Sequence, residues 1–226
     1  MNYRDTQKCL ILLAGSVLAS ALYGQTVTDG AAEKTELSYA YGLIVGSDLR
    51  TTGLEFDYDA ISQGLRDAIE GRDSRISMDE AVDLVQQSYM AAWERQTEEN
   101  RLNEIRFLQE NGKRDGIVTT ESGLQYEVIR AEGKQKPGAD AVVRVNYEGK
   151  LIDGTVFDSS YERGEASELP LNQVIPGWAE GVRLMGVGDT VVLYIPSRLA
   201  YGENGAGSIP PCTPVIFTVE LLEIVN

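Results

Sequence analysis

Val174-Ile175-Pro176-Gly177-Trp178-Ala179-Glu180-Gly181-Val182-Arg183-Leu184-Met185 stands out in the last third of the chain. Trp178, Val182 and Met185 recur at helical spacing behind Pro176-Gly177, which predicts one short helix. On both sides of it the period is two. Leu124, Tyr126 and Val128 alternate, as do Val143, Val145 and Tyr147, then Val191, Leu193 and Ile195, and finally Val215, Phe217, Val219 and Leu221. These read as half-buried strands. Asp153-Gly154 marks a tight hairpin and Gly186-Val187-Gly188-Asp189 a second turn. One helix among strands predicts a twisted antiparallel sheet wrapped around that helix.

Upstream, to about Gly112, the sequence reads helical. Thr35 to Leu49 sets Leu37, Tyr41, Ile44 and Val45 on one stripe, and Thr51-Thr52-Gly53 ends it. A second helix runs from about Asp57 to Ile69, with Ile61, Leu65 and Ile69 four apart and Gly71 as its stop. In the third, Ser77 and Glu80 form a capping box, and nothing breaks the helix until Asn111-Gly112, a rise of roughly 50 Å. Val82, Val85, Tyr89 and Trp93 stripe its first half, and Glu94 to Arg101 is polar on every side before Leu102, Ile105 and Leu108 resume; a helix longer than a compact small domain needs predicts a stalk. Helical units this small bury little core, so pairing with a second copy through Leu37 to Trp93 is expected. The fold class is α+β: an all-α amino-terminal dimerisation domain with a long connecting helix, then the sheet domain.

Composition narrows the chemistry. There is no histidine, so Ser-His and Cys-His nucleophile pairs and imidazole metal ligands are excluded. A net charge of -15 without a basic block argues against nucleic acid and anionic membranes as partners. Arg4 and Lys8 precede the apolar stretch Cys9 to Leu18, and Ala19, Ser20 and Ala21 follow, the pattern of an export signal with cleavage after Ala21 or Gly24. The apolar segment is too short to span a bilayer. Without Cys9, Cys212 is the single thiol, and no intramolecular disulfide can form. It reads as a loop thiol without a basic partner.

Five runs in order, Ser122-Gly123-Leu124-Gln125-Tyr126, Val156-Phe157-Asp158-Ser159-Ser160, Val174-Ile175-Pro176-Gly177-Trp178, Leu199-Ala200-Tyr201-Gly202 and Phe217-Thr218-Val219-Glu220-Leu221-Leu222, resemble the FKBP-type peptidyl-prolyl cis-trans isomerases. The helical part, with Tyr39-Ala40-Tyr41-Gly42, is similar to the amino-terminal dimerisation domain of the bacterial Mip-like and FkpA-like members. The resemblance implies that Trp178 forms the pocket floor, with Tyr147, Phe157, Val174, Ile175 and Phe217 as walls. It makes Asp158 a polar contact at the rim, has Tyr201 and the Ile175 N–H contact substrate, and places Arg163 and Ile209 beside the pocket. Tyr147, Phe157, Asp158, Tyr201 and Phe217 are thus the candidate catalytic set, and Arg163, Val174, Ile175, Trp178 and Ile209 the candidate substrate-binding set. Ser167 and Asn146 depart from the residue types frequent in the family, which bears on substrate preference. Gly202 to Gly207 lacks the Lys of a phosphate loop and reads as a flap.

The chain divides into an export signal (1–24), a helical dimerisation domain with its linker helix (25–115) and an isomerase domain (116–226). No cofactor or metal is expected. The expected partners are Xaa-Pro-containing unfolded or partly folded polypeptides and a second copy of the chain; macrolide inhibitors of the family are candidate ligands. The expected location is the periplasm or cell envelope, outer-membrane association included. The alternative function is a holdase chaperone dimer with weak or no turnover.

Overall fold

The computed structural model describes residues 30–133 and 135–225. The expected export signal and its cleavage point lie outside them. The chain forms two compact units, one ending at Gly53 and the other running from Leu54. In the first, helix α1 spans Gly30–Thr51. It starts ahead of the predicted Thr35, because Ala31, Ala32 and Glu33 are good helix formers and Glu33 sits favourably in the first turn.

In the second unit, α2 (Tyr58–Glu70) begins where Asp57 Oδ1 accepts from the N–H groups of Asp59 and Ala60, and stops at Gly71 in the left-handed region with φ 64°. Helix α3 (Met78–Asn111) carries the predicted capping box: Glu80 N–H donates to Ser77 Oγ, and Ser77 N–H to Glu80 Oε2. The apolar stripes are exposed in the single chain, Leu37, Tyr41 and Ile44 by about 60% and Val82 and Trp93 by about 50%.

The predicted stalk is corrected in one respect. From Asn100 onward α3 lies against the sheet rather than in solvent, with the Phe107 ring 6.2 Å from that of Tyr194 and Asn111 buried. Asn111 Nδ2 donates to Gln125 Oε1, and Gln125 Nε2 donates to the Leu108 carbonyl. The apolar stripe that resumes at Leu102, Ile105 and Leu108 does not mark this contact by itself, since Leu102 and Ile105 stay about half exposed while Asn100, Glu104 and Asn111 bond to the sheet domain.

The sheet holds seven antiparallel strands: β1 Ile117–Thr119, β2 Gln125–Arg130, β3 Val142–Leu151, β4 Val156–Ser159, β5 Ser167–Pro170, β6 Thr190–Ile195 and β7 Val215–Ile224. Their order is β1-β2-β6-β7-β3-β4, with β5 also paired to β3. β3 and β7 pair from Val143–Ile224 to Leu151–Val215. A single helical turn, α4 (Ser160–Arg163), follows β4, and α5 (Pro176–Leu184) crosses the sheet's inner face. Its start matches the sequence reading, since Pro at the first helical position loses no hydrogen bond. The alternation holds along β3 and β7, but Val128 at the end of β2 is exposed.

Two glycines bring α5 close to the sheet. A Cβ at Gly177 would lie 2.3 Å from Ile195 Cγ2, and one at Gly181 2.5 Å from Leu193 Cδ1, both on β6. They stand one turn apart on the face that meets the sheet, so the helix seats with Trp178 and Val182 in the core beside Val143, Val145, Leu193, Val219 and Leu221.

Candidate functional site

Strand β3 delivers Tyr147 inward, 7% exposed, and β7 delivers Phe217 at 5%. Helix α5 sets Trp178 edge-on to Tyr147 with ring centroids 6.4 Å apart. Phe217 lies 6.1 Å from Tyr147 and 5.5 Å from Phe157 of β4, the latter pair T-shaped. Tyr201 extends the series, edge-on to Phe157 at 6.4 Å. Five rings thus meet in sequence from a buried floor to a partly exposed wall, mostly in the edge-to-face arrangement that aromatic quadrupoles favour. Val174, Ile175 and Ile209 belong to the same apolar cluster.

The rim is polar and tightly bonded. Tyr147 Oη donates to Asp158 Oδ2 at 2.6 Å, Arg163 Nη2 donates to Tyr147 Oη at 2.9 Å, and Arg163 Nη1 binds Asp158 Oδ1. The Arg163 guanidinium carbon also stands 5.4 Å from the Tyr147 ring centroid, and Nη2 reaches Ser167 Oγ. Local chemistry explains the position of Arg163. Ser159 caps α4 through Glu162 N–H, Gly164 ends it in the left-handed region, and Ser160 Oγ accepts from Tyr147 N–H. One turn is therefore pinned to β3, which returns Arg163 to the hydroxyl of Tyr147. Burial is the largest influence on that hydroxyl and pushes its pKa up, the bond to Asp158 adds to this, and Arg163 opposes it. Burial likewise raises Tyr201, with Asp158 adding to it. Both phenols are neutral donors at physiological pH.

Among the described residues the Tyr201 hydroxyl and the Ile175 N–H have no hydrogen-bond partner; Ile175 heads α5, and its carbonyl accepts from Trp178 and Ala179. Asp158 is not the local turn cap that a lone Asp would suggest; its carboxylate joins residues 147 and 163. The sequence reading passed over Gly149. A Cβ there would stand 2.6 Å from Phe217 Cε1 and 2.9 Å from Phe157 Cζ, so the two rings meet only over a bare backbone. A glycine inside an alternating strand was the available signal.

An aromatic well rimmed by neutral hydroxyls suits a reaction that makes and breaks no covalent bond. The chain belongs to the FKBP-type peptidyl-prolyl cis-trans isomerases, enzymes that rotate the Xaa-Pro amide. The model of the FKBP-type isomerase family matches residues 133–222, and that of the domain amino-terminal to it matches residues 34–128. The chain is 44% identical over 196 residues to the FKBP-type 22 kDa peptidyl-prolyl cis-trans isomerase of Escherichia coli, spanning 84% of this chain and 95% of that protein. It is 33% identical to the outer membrane protein MIP of Legionella longbeachae over 94% of each. The crystal structure of FkpA from Escherichia coli superposes with a TM-score of 0.74 at 32% identity, covering 88% of this chain and 98% of that one.

Proposed function

We propose that the pocket bounded by Tyr147, Phe157, Val174, Ile175, Trp178, Ile209 and Phe217 receives the proline ring, and that Asp158, Tyr201 and the Ile175 N–H hold the peptide in the bent conformation through which the amide rotates. The barrier to that rotation is about 18–20 kcal/mol and comes from amide resonance. A twisted amide carries less charge separation than a planar one, so a dry aromatic well disfavours the planar ground state relative to the twisted one. Hydrogen bonds that fix the bend supply the rest. The observation that carries the assignment is the bonded Asp158–Tyr147–Arg163 set beside the cluster of rings, with the Tyr201 hydroxyl and the Ile175 N–H of the same cluster left as donors for a substrate. Macrolides that mimic a twisted prolyl amide fit the same well.

The test is the cis-to-trans rate of Xaa-Pro peptides with the full chain beside Asp158→Ala. Acceleration by the wild type and a roughly tenfold fall in kcat/KM for the variant are expected, the loss of about one charge-assisted hydrogen-bond network. An unchanged rate in a folded variant would remove Asp158 from the site.

The substrates we infer are exported polypeptides of the periplasm or cell envelope, in keeping with the sequence of residues 1–24. The helical region, residues 25–115, joins two copies through the exposed faces of α1 and the first half of α3, leaving residues 116–226 as the catalytic arm. Mass in solution checks this directly: twice the chain mass is expected at micromolar concentration, and a monomer there would sink the dimer. Two such arms could also hold an unfolded chain between them, and the extent of exposed apolar helix favours that second role alongside turnover.

A further inference from the structure

We infer that the second half of α3 is a positioning element for the catalytic pocket: Glu104 and Asn100 fix the two ends of the loop that carries Tyr201 and Ile209 to substrate. The inference rests on the pocket assignment above and goes beyond it. Glu104 Oε1 accepts from Ser197 N–H at 2.5 Å and Oε2 accepts from Ser197 Oγ at 2.8 Å. Asn100 Nδ2 donates to the Pro211 carbonyl at 2.8 Å, at the far end of the same loop.

Within the loop the bonds continue to the site. The Ser197 carbonyl accepts from Gly202 N–H at 2.8 Å, and the Gly202 carbonyl accepts from Cys212 N–H at 3.0 Å. Gly202 directly follows Tyr201. Ala206 and Ile209 exchange backbone bonds across a tight turn that sets Ile209 into the apolar cluster. Five bonds therefore tie the helix to the loop and the loop to the residue next to Tyr201, and no regular strand or helix longer than one turn stiffens the loop otherwise.

The contacts are unequal. Arg101 and Glu203 also pair at 2.9 Å, but both are largely exposed, and a pair in solvent is a weak restraint. The Glu104 carboxylate on a backbone N–H is charge-assisted and partly buried, and loss of Asn100 would leave the Pro211 carbonyl without that donor. Glu104 and Asn100 touch no ring of the pocket; they act through Ser197 and Pro211.

The experiment is kcat/KM for an Xaa-Pro peptide with full-length Glu104→Ala/Asn100→Ala, Glu104→Gln and Phe157→Ala, together with amide hydrogen exchange at Gly202 and Cys212. The double variant is expected to fall about tenfold in kcat/KM, a sub-ångström misplacement of Tyr201, with faster exchange at both amides. Glu104→Gln keeps an acceptor for Ser197 N–H and is expected within about twofold of wild type. A contact that served stability alone would lower the melting temperature and leave kcat/KM at 15 °C below it unchanged; that result overturns the inference. Should the double variant not fold, Asn100→Ala alone is read the same way, with a fall of about threefold supporting the inference and none overturning it. If Phe157→Ala loses turnover while the double variant keeps it, the positioning role falls and the pocket assignment stands. If Phe157→Ala keeps full turnover, the pocket assignment falls and the inference with it.

Discussion

Phe157→Ala is expected to lower kcat/KM for Xaa-Pro peptides by about a hundredfold, equivalent to about 2.7 kcal/mol of transition-state stabilisation, in a protein that still folds. The size follows from position. Phe157 is the ring that joins Phe217, at 5.5 Å, to Tyr201, at 6.4 Å, and among the described residues no other ring contact reaches Tyr201. Removing it takes away about 2–3 kcal/mol of apolar contact available to a proline ring and admits water to the remaining four rings. The fold tolerates the change because Phe157 is only partly buried on β4 at the sheet's end, while the core beneath it is built by β3, β6, β7 and α5. A coupled peptide assay gives the rate, and a near-wild-type urea midpoint confirms the fold. Less than a threefold loss would show that the ring does not contact substrate.

The largest stability effect is expected at Asp189, far from the pocket. Its Oδ1 accepts from Glu132 N–H at 2.7 Å and Gly133 N–H at 2.8 Å, and its Oδ2 accepts from Gly186 N–H at 2.7 Å. One buried carboxylate thus ties the connection after β2 to the turn before β6, where Gly133 and Gly186 approach so closely that a Cβ on either would strike the other's backbone or its neighbour's. Asp189→Ala leaves three N–H groups without that acceptor and is expected to cost about 3–5 kcal/mol, a large share of the roughly 5–15 kcal/mol that holds a domain together. Urea unfolding at neutral pH measures it; a loss under 1 kcal/mol would mean that water replaces the carboxylate.

The same group gives that experiment a pH dependence. Burial alone would raise the Asp189 pKa, but the three backbone N–H groups outweigh it and, with Lys136 nearby, hold it below the ordinary value. A carboxyl depressed in the folded state stabilises fully above its unfolded pKa of about 3.9 and loses that contribution as pH falls through the folded value. The difference in stability between wild type and Asp189→Ala is therefore expected to be flat above about pH 5 and to shrink below about pH 4.

Features that obey a period or a local cap could be read before any coordinates. Asp57, Gly71, Ser77 with Glu80, and the alternation in β3 and β7 all signal within a few residues of themselves. The candidate pocket was legible for a different reason: seven of its ten residues lie in runs whose order resembles a known family, which also implied roles for Tyr147, Arg163 and Ile209 outside those runs, while Tyr147 and Phe217 alone read as ordinary inward strand residues. What escaped the sequence was short or distant. β1, β4 and β5 span three or four residues, too few to show a period. Glu104 and Ser197 are separated by 93 residues, and a carboxylate that meets a backbone N–H has the same composition as one that meets water. Gly149 interrupts an alternating strand, but which rings it makes room for shows only once they are placed.

The order of the strands bears on how the protein is made. β7 is the last strand of the sheet in sequence, yet it lies between β6 and β3 and brings Phe217 to the well. Until residue 224 has left the ribosome and any translocation channel, the β1-β2-β6 and β3-β4 sides have no common partner, and both present unpaired edges. All seven prolines of the chain fall between 137 and 214, ahead of that strand. A nascent copy that already carries every proline of the sequence therefore still lacks a complete pocket, and the site comes together only when the last strand is threaded between its two neighbours.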